Sequence, residues 1–326
     1  MDKETKLGLL KSLLLARVFE EKKIEVATEL AKTDIGPTSC YGQEAIPVGF
    51  CYGLNRDDYV LLSIRSAWAI YLTKGLPIKR IAEEMYAKAG GYSYGREISS
   101  HITHMDLGII GGTGILGETI TVAAGLALAA TYKKTKQVAI CFMGDGTSNR
   151  EEFYSGINFA AIKNLPAIFV VEHNQMAENT PIRKVLPIEN IADRAAAFGI
   201  PGKIVDGNDV MAVYETAQEA ISRAREGQGP SLIECKTCRV RPMSEMEGPE
   251  KGLPAALIEE WLQKDPVKRM KEHMLESGAM SEEEFDSLKK GYQKEVDEAF
   301  DLARKSDYAP AEKVFTDVYA EGGIIE

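Results

Sequence analysis

A short apolar stretch that ends in Gly144-Asp145-Gly146 constrains the fold of this chain more than any other feature. The residues before it, Gln137 to Phe142, have the apolar and β-branched character of a strand that is buried on both faces. The two glycines allow a sharp turn and let the backbone approach a ligand closely, with the carboxylate at the carboxyl end of the strand. The pattern therefore predicts a ligand site at this strand tip.

The residues after the turn predict a helix and a second buried strand. Apolar residues recur at helical spacing from Phe153 to Ala161, and the run AIFVVE then leads to Asn174. A strand, a helix and a parallel strand form a right-handed crossover, so we expect Asp145 and Asn174 side by side at one sheet edge. A carboxylate, an amide oxygen and a backbone carbonyl just beyond, at Met176, predict a site for Mg²⁺ or Ca²⁺ bridged to phosphate. Gly146 and Thr147 are expected at the N-terminus of the helix, where amides and dipole favour a phosphate.

Strand and helix signals alternate along most of the chain, which predicts an α/β fold with a doubly wound, mainly parallel sheet flanked by helices. Residues 5–32 have the pattern of an amphipathic helix, and Glu118 to Tyr132 predict a helix of small residues. From Pro254 onward the chain is helical in character and highly charged. We expect one α/β domain over residues 1–253, including the N-terminal helix, and a helical C-terminal extension over residues 254–326.

Charge and hydropathy exclude several classes of partner. The net charge of −10 over 326 residues argues against nucleic acid and against anionic membrane surfaces. No apolar run reaches the roughly 18 residues that a membrane span needs, and the N-terminal MDKETK lacks a secretory layout. We expect a soluble cytoplasmic protein.

A glycine-rich motif offers a competing interpretation. Gly112 to Gly117 spells G-x-G-x-x-G and precedes a predicted helix, which suggests a dinucleotide site and a nicotinamide-dependent dehydrogenase. The strand before it is short, however, and Gln137 stands about 20 residues later, where the dinucleotide motif has an acidic residue. These two departures make the motif weak evidence for a nicotinamide site.

Taken together, the motifs resemble a known family. The Gly-Asp-Gly turn followed by an asparagine 29 positions after the aspartate (174 − 145 = 29) resembles the thiamine diphosphate signature. The chain around it resembles the α subunit of the thiamine-diphosphate-dependent first component of 2-oxo acid and acetoin dehydrogenase complexes. Five further blocks carry the resemblance, and the last three are most similar to the acetoin branch: Gly42 to Gly49, Gly111 to Gly117, Ile191 to Gly202, Val205 to Tyr214 and Gly229 to Cys235.

The resemblance implies a thiamine-diphosphate-binding fold, with thiamine diphosphate and Mg²⁺ (or Ca²⁺) as cofactors. It implies that Asp145, Asn174 and the backbone carbonyl of Met176 bind the metal, and that Arg65 binds the diphosphate. Backbone groups of Gly114 and Leu116 would contact the aminopyrimidine. The full set of cofactor-binding residues expected in this sequence is Arg65, Gly114, Leu116, Gly144, Asp145, Gly146, Thr147, Asn174 and Met176.

The resemblance also implies partners. In this family a β subunit supplies the glutamate that activates the cofactor, and the site lies at the α/β interface. We therefore expect an α₂β₂ heterotetramer and no turnover by this chain alone. A lipoyl-bearing acyltransferase is a further partner that the resemblance allows.

Three histidines of the family are replaced here. Thr38 stands at the first position of the usual H-L-x-x-G-[QE]-E-A, and Met243 stands at the histidine of Y-R-x-x-G-H. Ser66-Ala67-Trp68 follows Arg65 where R-x-H-G is usual, and Ile64 replaces the Tyr or His that normally precedes this arginine. Threonine, alanine, tryptophan and methionine cannot replace an imidazole that titrates near neutrality. The resemblance therefore supports cofactor binding more strongly than it supports decarboxylation of a 2-oxo acid with acyl transfer to lipoyl.

Other charged residues are candidates for the missing role. His101 matches a family histidine and, with His104, is a candidate catalytic residue; the alternative is a pair of loop histidines without such a role. Arg239 and Arg241 could clamp an anionic substrate, or belong to a charged loop at a subunit rim.

Besides the nicotinamide-dependent dehydrogenase that the glycine-rich motif suggests, three functions stay open at this point. The first is a dehydrogenase α subunit that acts on a 2-oxo acid, acetoin or a related ketone. The second is ketol transfer, or another carbon–carbon cleavage, by a split transketolase-like pair on the same cofactor. The third, from another class, is a non-catalytic subunit that binds a partner.

Overall fold

The computed structural model describes residues 1–33, 37–97, 101–112, 114–248 and 251–316. A six-stranded, all-parallel sheet organises these residues, with the spatial order β2-β1-β3-β4-β8-β7. A separate antiparallel pair, β5 and β6, follows β4. The strands are β1 (Tyr59–Leu61), β2 (Ile109–Ile110), β3 (Ala139–Gly144), β4 (Ala167–His173), β5 (Met176–Ala177), β6 (Thr180–Pro181), β7 (Gly202–Asp206) and β8 (Ser231–Lys236).

Helices cover both faces of the sheet. One face is packed by helices from both ends of the chain, and the other mainly by α6, α7 and a 3₁₀ segment, Ile191–Phe198. The helices are α1 (Lys3–Glu25), α2 (Ala27–Leu30), α3 (Ala45–Tyr52), α4 (Ala67–Thr73), α5 (Ile78–Met85), α6 (Glu118–Tyr132), α7 (Glu151–Ile162), α8 (Val210–Arg225), α9 (Ala255–Leu262), α10 (Pro266–Glu276) and α11 (Glu282–Lys305).

Strand β3 shows why the sheet is doubly wound. Successive side chains of a strand point to opposite faces. Ile140 and Phe142 belong to one core, whereas Ala139, Cys141 and Met143 belong to the other. Because both sets are apolar, each face must be covered by helices. The predicted doubly wound parallel sheet is confirmed.

Local boundaries differ from the predictions where side chains compete with the backbone. The chain does not enter an α-helix directly after the Gly-Asp-Gly turn, so placing Gly146 and Thr147 at an α-helix N-terminus was wrong. Asp145–Asn149 form a 3₁₀ turn, and α7 begins only at Glu151. The Ser148 hydroxyl donates to the Asp145 carbonyl at 2.7 Å, a local bond that favours the tighter turn.

The C-terminal helices pack on the N-terminal ones. Helix α11 lies against α1 and α5, and α10 lies against α1. Phe300 of α11 is fully buried, with its ring centroid 5.4 Å from that of Phe19 and 6.2 Å from that of Tyr86. Helices α9, α10 and α11 are therefore present, while the division into residues 1–253 and a C-terminal extension over 254–326 stays a prediction, with residues 317–326 outside the described part of the chain. Within the described residues, no helix is long and apolar enough to cross a membrane; the cytoplasmic location also stays a prediction.

Shortening Phe300 to alanine tests this packing. Phe300→Ala should lower the free energy of unfolding by about 3–5 kcal/mol, because it leaves a cavity among buried rings. The matched control is Leu302→Ala on the same helix, which is 54% exposed and should cost no more than about 0.5 kcal/mol. Urea unfolding followed by circular dichroism measures both, and equal losses in the two variants would contradict the packing.

Candidate cofactor site

A cavity of about 370 Å³ lies at the carboxyl edge of the parallel strands. Its walls come from the segments that follow β1, β3, β4 and β8, together with the glycine-rich segment that precedes α6. Ligands of open α/β sheets bind at this edge. The cavity collects ten of the residues expected from the sequence: Arg65, His101, Gly114, Leu116, Gly144, Asp145, Gly146, Thr147, Asn174 and Met176.

The pairing of β3 with β4 brings the expected metal ligands together. Gly144 lies opposite Glu172 in this parallel pair, so Asp145 and Asn174 follow neighbouring strand ends. The two side chains are only 1% and 6% exposed. The juxtaposition that the crossover argument predicted is therefore present, while metal ligation itself stays a prediction.

One oxygen of Asp145 is left without a partner. Oδ1 accepts the Gly146 amide at 2.7 Å, but Oδ2 is buried and has no hydrogen-bond partner among the described residues. Burial raises the pKa of the Asp145 carboxyl, whereas the nearby His173 and the amides of Gly146, Gln175 and Met176 favour its ionised form. A buried carboxylate oxygen of this kind is costly unless a cation or donor satisfies it.

The turn after β4 presents neutral oxygens beside this carboxylate. Asn174 Oδ1 accepts the Met176 amide at 3.2 Å, and the Asn174 carbonyl accepts the Arg239 amide at 3.0 Å. Gln175, between them, adopts a left-handed conformation with φ 71°. An amide oxygen has a second lone pair, so Asn174 can still bind a metal. No group of three or more His, Cys, Asp or Glu side chains within the described residues could hold a metal, so a metal here needs these neutral oxygens.

Arg65 follows β1 and is buried at the cavity. Its guanidinium donates to the Ser39 carbonyl at 2.7 Å and contacts Met243 Sδ at 3.0 Å. Burial lowers the pKa of Arg65, and carboxylates farther away, Glu172 among them, partly oppose this effect. Arg65 is thus placed to meet an anion in the cavity.

Two of the glycines leave open space for a ligand. A Cβ added to Gly144 or Gly114 would meet no atom within 4 Å, whereas one added to Gly146 would lie 2.7 Å from Ala177 Cβ. Leu116 lines the same cavity and is 62% exposed. The cavity therefore has a buried, charged floor and an exposed mouth beside Gly114 and Leu116.

A buried carboxyl that the sequence reasoning missed completes the floor. Glu172, the penultimate residue of β4, lines the cavity and accepts a hydrogen bond from the Ser63 hydroxyl, which lies 2.9 Å from the Ser66 hydroxyl. Burial raises the pKa of Glu172, and the bonds from both serines partly offset this. The available signal was a lone acid at the end of an otherwise apolar strand.

The two candidate catalytic histidines lie in different surroundings. His101 lines the cavity, with Nδ1 3.0 Å from Glu97 Oε1. His104 is not among the lining residues; its ring packs edge-on against Tyr92, and its Nδ1 has no partner in the described part of the chain. The catalytic roles of both stay predictions.

The replaced positions contribute little polar chemistry. Trp68 is buried in the core, and the Thr38 hydroxyl faces the Ile64 carbonyl at 3.4 Å. Met243 alone of the three lines the cavity, where its sulfur contacts Arg65. The cavity therefore gains a thioether where the resemblance leads one to expect an imidazole.

The fold and the site define a class of protein: a doubly wound α/β protein whose strand tips offer a carboxylate, neutral oxygens and a guanidinium to a metal and an anion. Comparison with known families narrows this class, because residues 11–312 match the family described as "Dehydrogenase E1 component". The chain belongs to this family, whose members use thiamine diphosphate with a divalent metal.

Individual relatives agree over almost the whole chain. The α subunits of acetoin:2,6-dichlorophenolindophenol oxidoreductase are 35% identical in Bacillus subtilis and 37% identical in Cupriavidus necator. Each alignment covers 98% of this chain and 95% of the relative. The pyruvate dehydrogenase E1 component subunit alpha of Porphyra purpurea is 34% identical, over 94% of this chain and 90% of the relative.

The site fits a metal-bound diphosphate on observations of its own. A metal ion would give the Asp145 oxygen the partner that it lacks among the described residues. A diphosphate would fill the open space beside Gly144 and would place a negative charge next to the buried Arg65 guanidinium.

Two glycine variants test whether the space beside each glycine is open to a ligand or is already filled by the protein. Gly146→Val should lower the free energy of unfolding by about 1–3 kcal/mol, because its side chain meets Ala177. Gly144→Val should change it by less than about 1 kcal/mol, because its side chain enters open space. Thermal and urea unfolding of the ligand-free chain measure both; equal destabilisation would contradict the geometry.

Proposed function

We propose that this chain is the α subunit of a heteromeric thiamine-diphosphate-dependent enzyme that acts on acetoin, a 2-oxo acid or a related ketone. The observation that carries the proposal is the buried, unpartnered Asp145 oxygen beside Asn174 and Met176 at the sheet edge. When bound, thiamine diphosphate supplies the nucleophilic carbon that adds to a substrate carbonyl. The residues of this chain would anchor the diphosphate end of the cofactor.

The proposed roles follow the position of each group. Asp145, Asn174 and the Met176 carbonyl would hold Mg²⁺, and Arg65 would neutralise a phosphate by charge-assisted bonds. Gly144 would leave room for the diphosphate to approach the backbone, since no atom occupies the direction of its missing side chain. Gly114 and Leu116, at the exposed mouth, would contact the aminopyrimidine.

The need for a β subunit is supported by the surface around the mouth. Ile115 and Leu116 are 55% and 62% exposed, although both line the cavity. Val122, one turn of α6 beyond the cavity-lining Thr119, adds a further exposed apolar side chain. Exposed apolar residues grouped at a cavity mouth mark an interaction surface. We propose that a β subunit covers this surface and supplies the activating glutamate.

Removal of the Asp145 carboxylate tests cofactor binding. Asp145→Ala and Asp145→Asn should weaken Mg²⁺-dependent binding of thiamine diphosphate by at least about 10- to 100-fold, because loss of even an outer partner of a metal ligand costs that much. Isothermal titration of the purified chain measures it. Glu151→Ala, an exposed acid six residues away (151 − 145 = 6), is the control and should bind as the wild type does.

The same variants distinguish an enzyme from a scaffold. With the partner chain present, Asp145→Ala should abolish turnover and leave association of the two chains unchanged. Wild-type affinity for the cofactor in the Asp145→Ala variant would contradict the proposed site, and undiminished turnover would contradict the proposed enzyme.

The replaced histidines favour ketone cleavage or ketol transfer over decarboxylation as the detailed reaction. The cavity holds Met243 near Arg65, and a thioether cannot take up or donate a proton as an imidazole does. We expect the assembled enzyme to reduce an acceptor dye with acetoin and to release CO₂ from pyruvate slowly. Parallel assays with acetoin, 2-oxo acids and sugar phosphates measure this; rapid CO₂ release from pyruvate would contradict it, and transfer to a sugar phosphate would establish the ketol-transfer alternative.

A further inference from the structure

Two buried guanidinium groups share the floor of the cavity. Arg65 enters from the end of β1 and Arg239 from the segment after β8, and both line the cavity. They are 6% and 1% exposed. They are close enough to repel each other electrostatically, and two carboxylates, Glu247 and more weakly Asp145, attract the second without forming an ion pair with it. Two like charges removed from water at one site are costly unless something of opposite charge lies between them.

The described part of the chain does not provide that opposite charge at contact distance. Arg239 donates to the Glu178 carbonyl and, at 3.4 Å, to the Lys251 carbonyl, while its Nε is buried and has no hydrogen-bond partner there. Among the described residues, the hydrogen-bond partners of the Arg65 guanidinium are the Ser39 carbonyl and the Met243 sulfur. No described carboxylate forms an ion pair with either guanidinium, within a limit of 4.0 Å.

Other arginines of the chain show the usual arrangement. Buried Arg17 pairs with Glu44 at 2.6 Å and with Asp265 at 2.7 Å. Arg241, two residues from Arg239, pairs with Glu245 through both Nε and Nη2. Of the three buried arginines in the described residues, Arg17 is thus neutralised by carboxylates, whereas Arg65 and Arg239 have neutral partners.

We infer that Arg239 is a second guanidinium ligand of the phosphate groups in this cavity, acting together with Arg65 on a diphosphate. The inference rests on the proposed function and adds a residue to its anion site. A diphosphate carries two charged groups, so each guanidinium could serve one of them, and Asp145 would hold the metal.

Inorganic pyrophosphate isolates this role from the rest of the cofactor. The full chain, with Mg²⁺ present, is titrated calorimetrically with pyrophosphate and, separately, with thiamine diphosphate. Arg239→Met should weaken pyrophosphate binding by about 10- to 100-fold, the loss expected on removing a charge-assisted contact. Arg241→Met is the matched control, because its guanidinium is committed to Glu245, and it should bind within about threefold of the wild type.

A separate control for folding is needed, because Arg239 also donates hydrogen bonds to two backbone carbonyls. Each variant is compared with its own ligand-free Tm, and the rise in Tm at saturating pyrophosphate should be smaller in Arg239→Met than in Arg241→Met. If Arg239→Met does not fold, Arg239→Gln, which keeps a donor without the charge, replaces it under the same criteria.

The outcomes separate this inference from the proposed function. Wild-type pyrophosphate affinity in the Arg239 variant, or no pyrophosphate binding by the wild type, overturns the inference. If the wild type binds pyrophosphate in an Arg239-dependent way but does not bind thiamine diphosphate, the anion site stands and the proposed function fails.

Discussion

The parallel pairing of β3 with β4 is the constraint on which the rest of the site depends. Both strands are buried almost throughout, and the Gly144–Glu172 register makes the chain leave them at the same edge. A one-residue slip would turn every side chain to the opposite face, so two apolar cores hold this register. Asp145 and Asn174 are therefore positioned by the interior of the protein, and the loops that follow only complete the site.

The same burial explains the unbalanced electrostatics of the cavity floor. Asp145 Oδ2 lacks a donor, and two guanidinium groups lack carboxylate partners in the described chain. Burial raises the pKa of Asp145 and lowers that of Arg239 to about 10, so in each case it disfavours the charged form. A bound cation would reverse this effect at Asp145, and a bound polyanion would reverse it at the arginines. Burial in this cavity disfavours both the carboxylate and the guanidinium charges. The cavity is therefore suited to a ligand that combines a cation with a polyanion.

The sequence predicted the parts of this site that follow from local pattern. The helix Glu118–Tyr132, the buried strands and the Gly-Asp-Gly turn have local signals, and the crossover rule placed Asn174 beside Asp145. The hydrogen bond from Ser63 to Glu172 joins residues 109 positions apart, at the ends of β1 and β4, which are not neighbours in the sheet. Only the strand order β1-β3-β4 brings them within reach, so no local pattern could predict it. The 3₁₀ turn at Asp145 was missed for a different reason: its residues are weak helix formers, and the bond from the Ser148 hydroxyl to the Asp145 carbonyl is compatible with a tighter turn.

The floor and the mouth of the cavity differ in polarity, which suggests that they have different roles. The floor holds the buried charged groups, Asp145, Glu172, Arg65 and Arg239, whereas Ile115 and Leu116 at the mouth are apolar and exposed. His101 is the one histidine among the lining residues that the structure describes, and it lies beside Glu97. Phosphate and metal are bound by fixed charges, but proton transfer to a substrate needs groups that titrate near neutrality. A chain that concentrates fixed charges on the floor and leaves an apolar mouth supplies the anchor for a cofactor. Among the described residues that line the cavity, His101 and Glu172 are the groups other than fixed charges that could exchange a proton.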